Sequence, residues 1–121
     1  MTKAAGKDLS DKVYELFETA TSSGKVRKGT NEVTKALERE TAKLVAIAED
    51  VNPPAIVAHL PLLSKEKKVP FIVVPSRKEL GASVGLKVGC ASAALVNEGS
   101  ARNLFKEVKE TVLALNKSES V

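Results

Sequence analysis

A chain of 121 residues fits one domain, residues 1–121, long enough to bury roughly two-thirds of its unfolded surface around a single core. One cysteine, Cys90, excludes an internal disulfide, and no apolar stretch, Leu44 to Ala48 and Ala91 to Val96 included, is long enough to span a bilayer. The net charge of +4, from 19 basic and 15 acidic residues, favours an anionic partner, while three Phe, one Tyr and no Trp argue against a reader that stacks successive bases on aromatic platforms.

In chain order, Met1-Thr2-Lys3-Ala4-Ala5-Gly6 lacks the apolar run of a secretory leader, so a reducing cytoplasm is the expected setting. Val13, Leu16, Phe17 and Ala20 recur at helical spacing and predict a helix over Leu9 to Thr21, stopped by Ser22-Ser23-Gly24. Val26-Arg27-Lys28 suits a short strand before Gly29. Thr30 or Asn31 then suits the start of a helix with Val33, Ala36 and Leu37 inward. Leu44 to Ala48 reads as a buried strand. Asp50-Val51-Asn52-Pro53-Pro54 is a loop into a further helix, which Pro61, within Ile56 to Leu63, should kink or divide. Lys65-Glu66-Lys67-Lys68 is its expected solvated end.

Phe71 to Val74 predicts a second buried strand, and a short helix follows from about Lys78 to Val84, ending near Gly85. Ser92 to Val96 supplies another strand. A last helix after Asn97-Glu98-Gly99-Ser100 turns Leu104, Val108, Val112 and Leu115 inward. Strands alternating with helices, each strand apolar on both faces, predict a three-layer α/β/α sandwich with a mixed or largely parallel central sheet.

Basic residues gather between Lys25 and Lys43, where Lys25, Arg27, Lys28, Lys35, Arg39 and Lys43 stand against Glu32, Glu38 and Glu40. With Val33, Ala36 and Leu37 inward on a wheel of about 100° per residue, Asn31, Lys35 and Arg39 face outward and Glu32 flanks them. Gly29 allows close backbone approach, the helix start offers N–H groups to phosphate, and Asn31 or Glu32 can read base edges. Glu32 repels phosphate, so in a basic patch it is useful only as an acceptor for a base such as guanine. The bland account makes Thr30 or Asn31 a cap, Glu32 a dipole partner and Lys35 solvated surface.

Between two glycines, Leu86 and Val88 either tuck into the core or form an exposed apolar wall for an unstacked base. There is no phosphate-loop, dinucleotide or Cys-x-x-Cys motif, and no His-Glu-x-x-His set. Cys90 and the single histidine, His59, form a nucleophile pair only formally; buried or structural roles suit both better. Asp50 and Asn52 suit a turn before proline better than a metal or polar-ligand site.

At Lys28-Gly29-Thr30-Asn31-Glu32-Val33-Thr34-Lys35, Ala48-Glu49-Asp50-Val51-Asn52-Pro53 and His59-Leu60-Pro61-Leu62-Leu63, the chain resembles the archaeal kink-turn-binding ribosomal proteins of the large subunit, the seven-Ae family. The likeness continues through Val69-Pro70-Phe71, Lys78-Glu79-Leu80-Gly81 and Cys90-Ala91-Ser92-Ala93-Ala94, covering nearly the whole chain. It implies an α/β/α sandwich, non-enzymatic and without a cofactor, that recognises a helix–internal loop–helix with tandem sheared G·A pairs.

The resemblance implies that Asn31, Glu32 and Lys35 contact the G·A bases, that Arg27, Lys28 and Gly29 follow the RNA backbone, and that Ile56, Leu86 and Val88 pack against the extruded nucleotide; Thr30 is counted among the RNA-binding residues. Lys87 lies in the adjoining specificity loop. There the chain departs from many relatives, which carry an acidic or uncharged polar residue at Lys87 and often proline or alanine at Gly89. The implied partners are ribosomal RNA, box C/D and H/ACA guide RNA and ribonuclease P RNA, with fibrillarin and a Nop-family protein joining through the RNA platform; a free monomer, away from membranes, is expected. Two other functions compete. One is a small α/β enzyme or ligand-binding domain using strand-end loops near Asp50 and Ser76, and the other a ribosomal protein without kink-turn specificity.

Overall fold

The computed structural model describes residues 6–51 and 54–119, with their side chains apart from those of 54 and 115–119. The described residues form helices α1 (Lys7–Ser23), α2 (Thr30–Glu38), α3 (His59–Glu66), α4 (Arg77–Ser83) and α5 (Arg102–Glu119). They alternate with strands β1 (Lys25–Lys28), β2 (Leu44–Ala48), β3 (Phe71–Val74) and β4 (Ser92–Asn97).

The strands lie side by side in the order β1-β4-β2-β3. β2 and β3 run parallel, joined by the crossover through α3, and β4 is antiparallel to both β1 and β2. α1 packs against α4 and α5, and α2 against α3, so the sheet is the middle of three layers. Every residue of β2 and β3 is buried, as strands covered on both faces require. The core includes Val13, Leu16 and Phe17 of α1, Val33 and Leu37 of α2, and Val108 and Val112 of α5, all without exposed surface. Leu104 is half-buried, and the side chain of Leu115 lies outside the described residues.

β1 departs from the expectation that each strand is apolar on both faces. Lys25 and Lys28 are exposed and Val26 and Arg27 only half-buried, unlike β3, the fully buried strand at the other sheet edge; charge on the β1 edge discourages pairing with another chain. α1 runs two residues further than expected at each end and stops at Gly24. A Cβ on Gly24 would collide with the carbonyl oxygen of Asn97, so only glycine lets the chain turn into β1 beside the end of β4.

Pro61 neither kinks nor divides a helix. The break falls earlier, where a 3-10 turn at Pro54–Ile56 gives way to α3 at His59. Pro61 is the third residue of α3, inside a first turn whose N–H groups have no intrahelical acceptor, so its missing donor costs little there.

The topology gathers one set of connections at one end of the sheet. β1 leaves into α2 there, β2 into the segment carrying Ile56 and β3 into α4, while β4 arrives from the loop holding Leu86 and Val88. Backbone bonds from Gly29 N to Ser92 O (2.9 Å), Ala48 N to Ala91 O (2.8 Å) and Glu49 N to Val74 O (2.8 Å) tie these connections together.

Candidate nucleic-acid interface

Gly29 sets the direction in which α2 leaves the sheet. Its φ of +89° and ψ of 149° lie in a region that L side chains avoid, although open space surrounds the position where a Cβ would be. The requirement is therefore conformational. α2 starts at Thr30 as expected, with Gly29 as its N-cap; no side chain caps it, so the cap that the bland account gives Thr30 or Asn31 is absent. The Thr30 hydroxyl turns instead to the Ser92 hydroxyl at 3.1 Å. An uncapped helix start is open to an external anion.

Beyond it, Asn31, Glu32, Lys35 and Arg39 are exposed, while Val33, Ala36 and Leu37 are buried as the wheel requires. Lys25, Arg27, Glu32, Lys35, Ala36, Arg39, Thr41 and Val96 line a groove of about 110 Å³ between β1 and α2. Four cations and one carboxylate therefore share one recess. Glu32 and Lys35 approach to 3.9 Å with both side chains about half exposed, a pairing worth little in water and easily exchanged for a ligand. Among the described residues Lys25, Arg27 and Arg39 have no ion-pair partner. Lys25 belongs to the basic cluster of the sequence but lies outside the candidate site read from it. The signal was its i, i+2 spacing from Arg27, which puts both on one face of an extended strand.

The apolar residues behave differently from one another. Val88 is 70% exposed and Ile56 46%, so both are free to meet a partner, whereas Leu86 is half-buried and packs on the core. Lys87 between them is exposed. Hydrogen bonds from Leu86 N to Gly81 O and from Cys90 N to Arg77 O, both 2.9 Å, hold the two ends of this loop on α4. Gly89 needs no glycine-only backbone angle, and the nearest atoms a Cβ there would meet belong to the Arg77 side chain.

The catalytic candidates do not assemble. Cys90 is buried, its thiol donating to the Ser92 carbonyl at 2.9 Å. His59, for which a buried or a structural role was expected, is exposed, with Nε2 2.9 Å from the Thr34 hydroxyl. It is the first residue of α3, where the outward side of the opening turn faces α2. Asp50 Oδ1 accepts from Arg77 N at 2.8 Å, and Ser76 caps α4 by accepting from Glu79 N at 3.2 Å. The Ser76 N–H points to the Tyr14 hydroxyl at 3.3 Å, and burial pushes that phenol above its ordinary range. These strand-end groups are thus engaged within the chain; Asn52 lies outside the described residues. Among the described residues no cluster of His, Cys, Asp and Glu is placed to hold a metal, and no helix is long and apolar enough to cross a membrane.

Comparison with known proteins gives this geometry a family. Residues 11–105 match the Ribosomal protein L7Ae/L30e/S12e/Gadd45 family, a span holding all four strands and every residue of the groove. The chain belongs to that family. A solved structure, the Giardia lamblia 15.5kD RNA binding protein, is 32% identical, with 93% of each chain covered and a TM-score of 0.87. The L7Ae/L30e/S12e/Gadd45 fold of this chain therefore follows both from its own packing and from its likeness to a known structure.

Proposed function

We propose that this L7Ae-family chain is a non-enzymatic RNA-binding protein whose target is the kink-turn. The observation that carries the proposal is the placement of Glu32 in a groove with Lys25, Arg27, Lys35 and Arg39. A groove built only for phosphate gains nothing from a carboxylate. One that also reads bases gains an acceptor, which a guanine edge turned outward by a sheared G·A pair can satisfy. The likeness to a protein described as RNA-binding supports the same assignment.

In this account Asn31, Glu32 and Lys35 read the G·A pairs, and Arg27, Lys28, Gly29 and Thr30 follow the backbone onto the uncapped start of α2. Lys25 and Arg39 extend the phosphate track along the groove. Ile56, Leu86 and Val88 wall the extruded nucleotide, Leu86 by its remaining exposed surface, and Lys87 faces the flanking RNA. The protein favours the kinked RNA over its extended ensemble only by as much as it binds the kinked form better. Ribosomal RNA, box C/D and H/ACA guide RNA and ribonuclease P RNA are the proposed targets. Fibrillarin and a Nop-family protein would then join on the shaped RNA, with the chain itself a cytoplasmic monomer of one domain.

Glu32→Ala tests the base-reading role. Specific recognition predicts lost preference for G·A-containing RNA. Plain phosphate binding, as in a ribosomal protein without kink-turn specificity, predicts equal or tighter binding to every RNA because a repulsive charge is gone.

A further inference from the structure

Five hydrogen bonds connect the three separate pieces of the proposed interface. The Ser92 carbonyl accepts from Gly29 N at the start of α2 and from the Cys90 thiol at the end of the apolar loop, both at 2.9 Å. The Ser92 hydroxyl meets that of Thr30 at 3.1 Å. Thr34 Oγ1 donates to the Thr30 carbonyl at 2.8 Å and lies 2.9 Å from His59 Nε2. A hydroxyl has one proton, and Thr34 gives its own to Thr30, so His59 is the donor through Nε2–H. The chain of bonds thus runs from the loop through β4 and α2 to α3, the helix that follows Ile56.

We infer that Ser92, Thr34 and His59 are positioning residues, which, through the hydroxyl and carbonyl of Thr30, lock α2, the apolar loop and the start of α3 into the arrangement that fits RNA. The inference rests on the RNA function proposed for this surface. Two features make such a device necessary. α2 has no side-chain cap, and it leaves the sheet through a glycine, the residue with most conformational freedom to lose. Its entry angle is therefore not fixed by its own first turn. Ser92 has no exposed surface, so the bonds around it form where water does not compete. A protein holding its contact groups in the bound arrangement loses less ordering entropy on binding, and one that visits that arrangement only part of the time binds more weakly by that fraction.

The test uses the full chain with a kink-turn RNA and a control in which Watson–Crick pairs replace the G·A pairs. His59→Ala changes an exposed side chain, and Thr34→Val swaps a hydroxyl for a methyl group. Each should weaken kink-turn binding about fivefold, the equivalent of one net hydrogen bond of ~1 kcal/mol, and leave control binding and the salt dependence unchanged. The double variant should lose no more than either single one, since both cut the same link, and Thr34→Ser should restore binding. Additive losses, equal losses on both RNAs, or variants that bind as the wild type does would overturn the inference while leaving the RNA function standing. A wild-type chain that does not distinguish the two RNAs would overturn both.

Discussion

The carbonyl oxygen of Val88 occupies the space that a Cβ on Gly81 would need. This is how the apolar loop lies flat on α4, with Leu86 N bonded to the Gly81 carbonyl while the Val88 side chain stands out in solvent. In an ordinary helix interior alanine is favoured over glycine by about 0.5–1 kcal/mol. Here the neighbour is backbone and cannot rotate away. Gly81→Ala should therefore lower stability by about 1–3 kcal/mol, the usual cost of overpacking, seen as a lower urea midpoint, and weaken RNA binding by displacing Val88.

Gly29→Ala should destabilise for the opposite reason, since there is room for the methyl group but not for the backbone angles. The cost should be about 1–3 kcal/mol by denaturant unfolding. Asparagine, which tolerates the left-handed helical region, should give no rescue, because a ψ of 149° lies outside that region. A Gly29→Ala protein as stable as the wild type would show that the entry to α2 is not held as described.

Ser64 offers a gain. Its hydroxyl, on the inner side of α3, is fully buried and finds no hydrogen-bond partner among the described residues. Replacing an unsatisfied buried hydroxyl with hydrogen recovers its desolvation penalty, so Ser64→Ala should raise stability by about 1 kcal/mol. RNA affinity should not change.

The helices and the parallel strands β2 and β3 were legible because burial patterns the apolar residues. Leu44–Ala48 and Phe71–Val74 are continuous apolar runs with the bounds expected of them, and Val33, Ala36 and Leu37 mark the inner face of α2. The candidate site was legible as a string of residue types around Gly29 but not as a recess. Lys25 enters the groove only because β1 pairs with β4, a contact across more than sixty residues. Local pattern placed the start of α2 at Thr30 or Asn31 but could not show that the Thr30 hydroxyl is claimed by Ser92 from another strand. The apolar neighbours of His59 left a buried and a structural role open; it opens a helix, exposed, and bonds to Thr34.

Glu98 links stability to acid. The hydrogen bond from Lys43, 2.9 Å long, holds its carboxyl below the ordinary glutamate range. A carboxylate with a lowered folded-state pKa adds stability above the ordinary range and loses it as pH falls through the lowered one. Lys43→Met should thus be less stable than the wild type near neutrality, with the gap narrowing in acid. It should not close completely, because Lys43 also sits 5.9 Å from the Phe105 ring centre, a contact that protonating Glu98 does not remove. Thermal unfolding of both proteins across the acid limb measures the difference.

The central claim is that this groove and loop read a kinked RNA by its G·A bases as well as its charge. A titration at matched salt of the full chain against a kink-turn RNA and against its Watson–Crick-paired control tests this most directly, since phosphate contacts alone vary steeply with salt but ignore base identity. With base contacts each worth about 1–3 kcal/mol, the account predicts a preference on the order of tenfold to a hundredfold for the kink-turn, persisting as salt is raised. Equal binding to both RNAs, weakening together with salt, would contradict it.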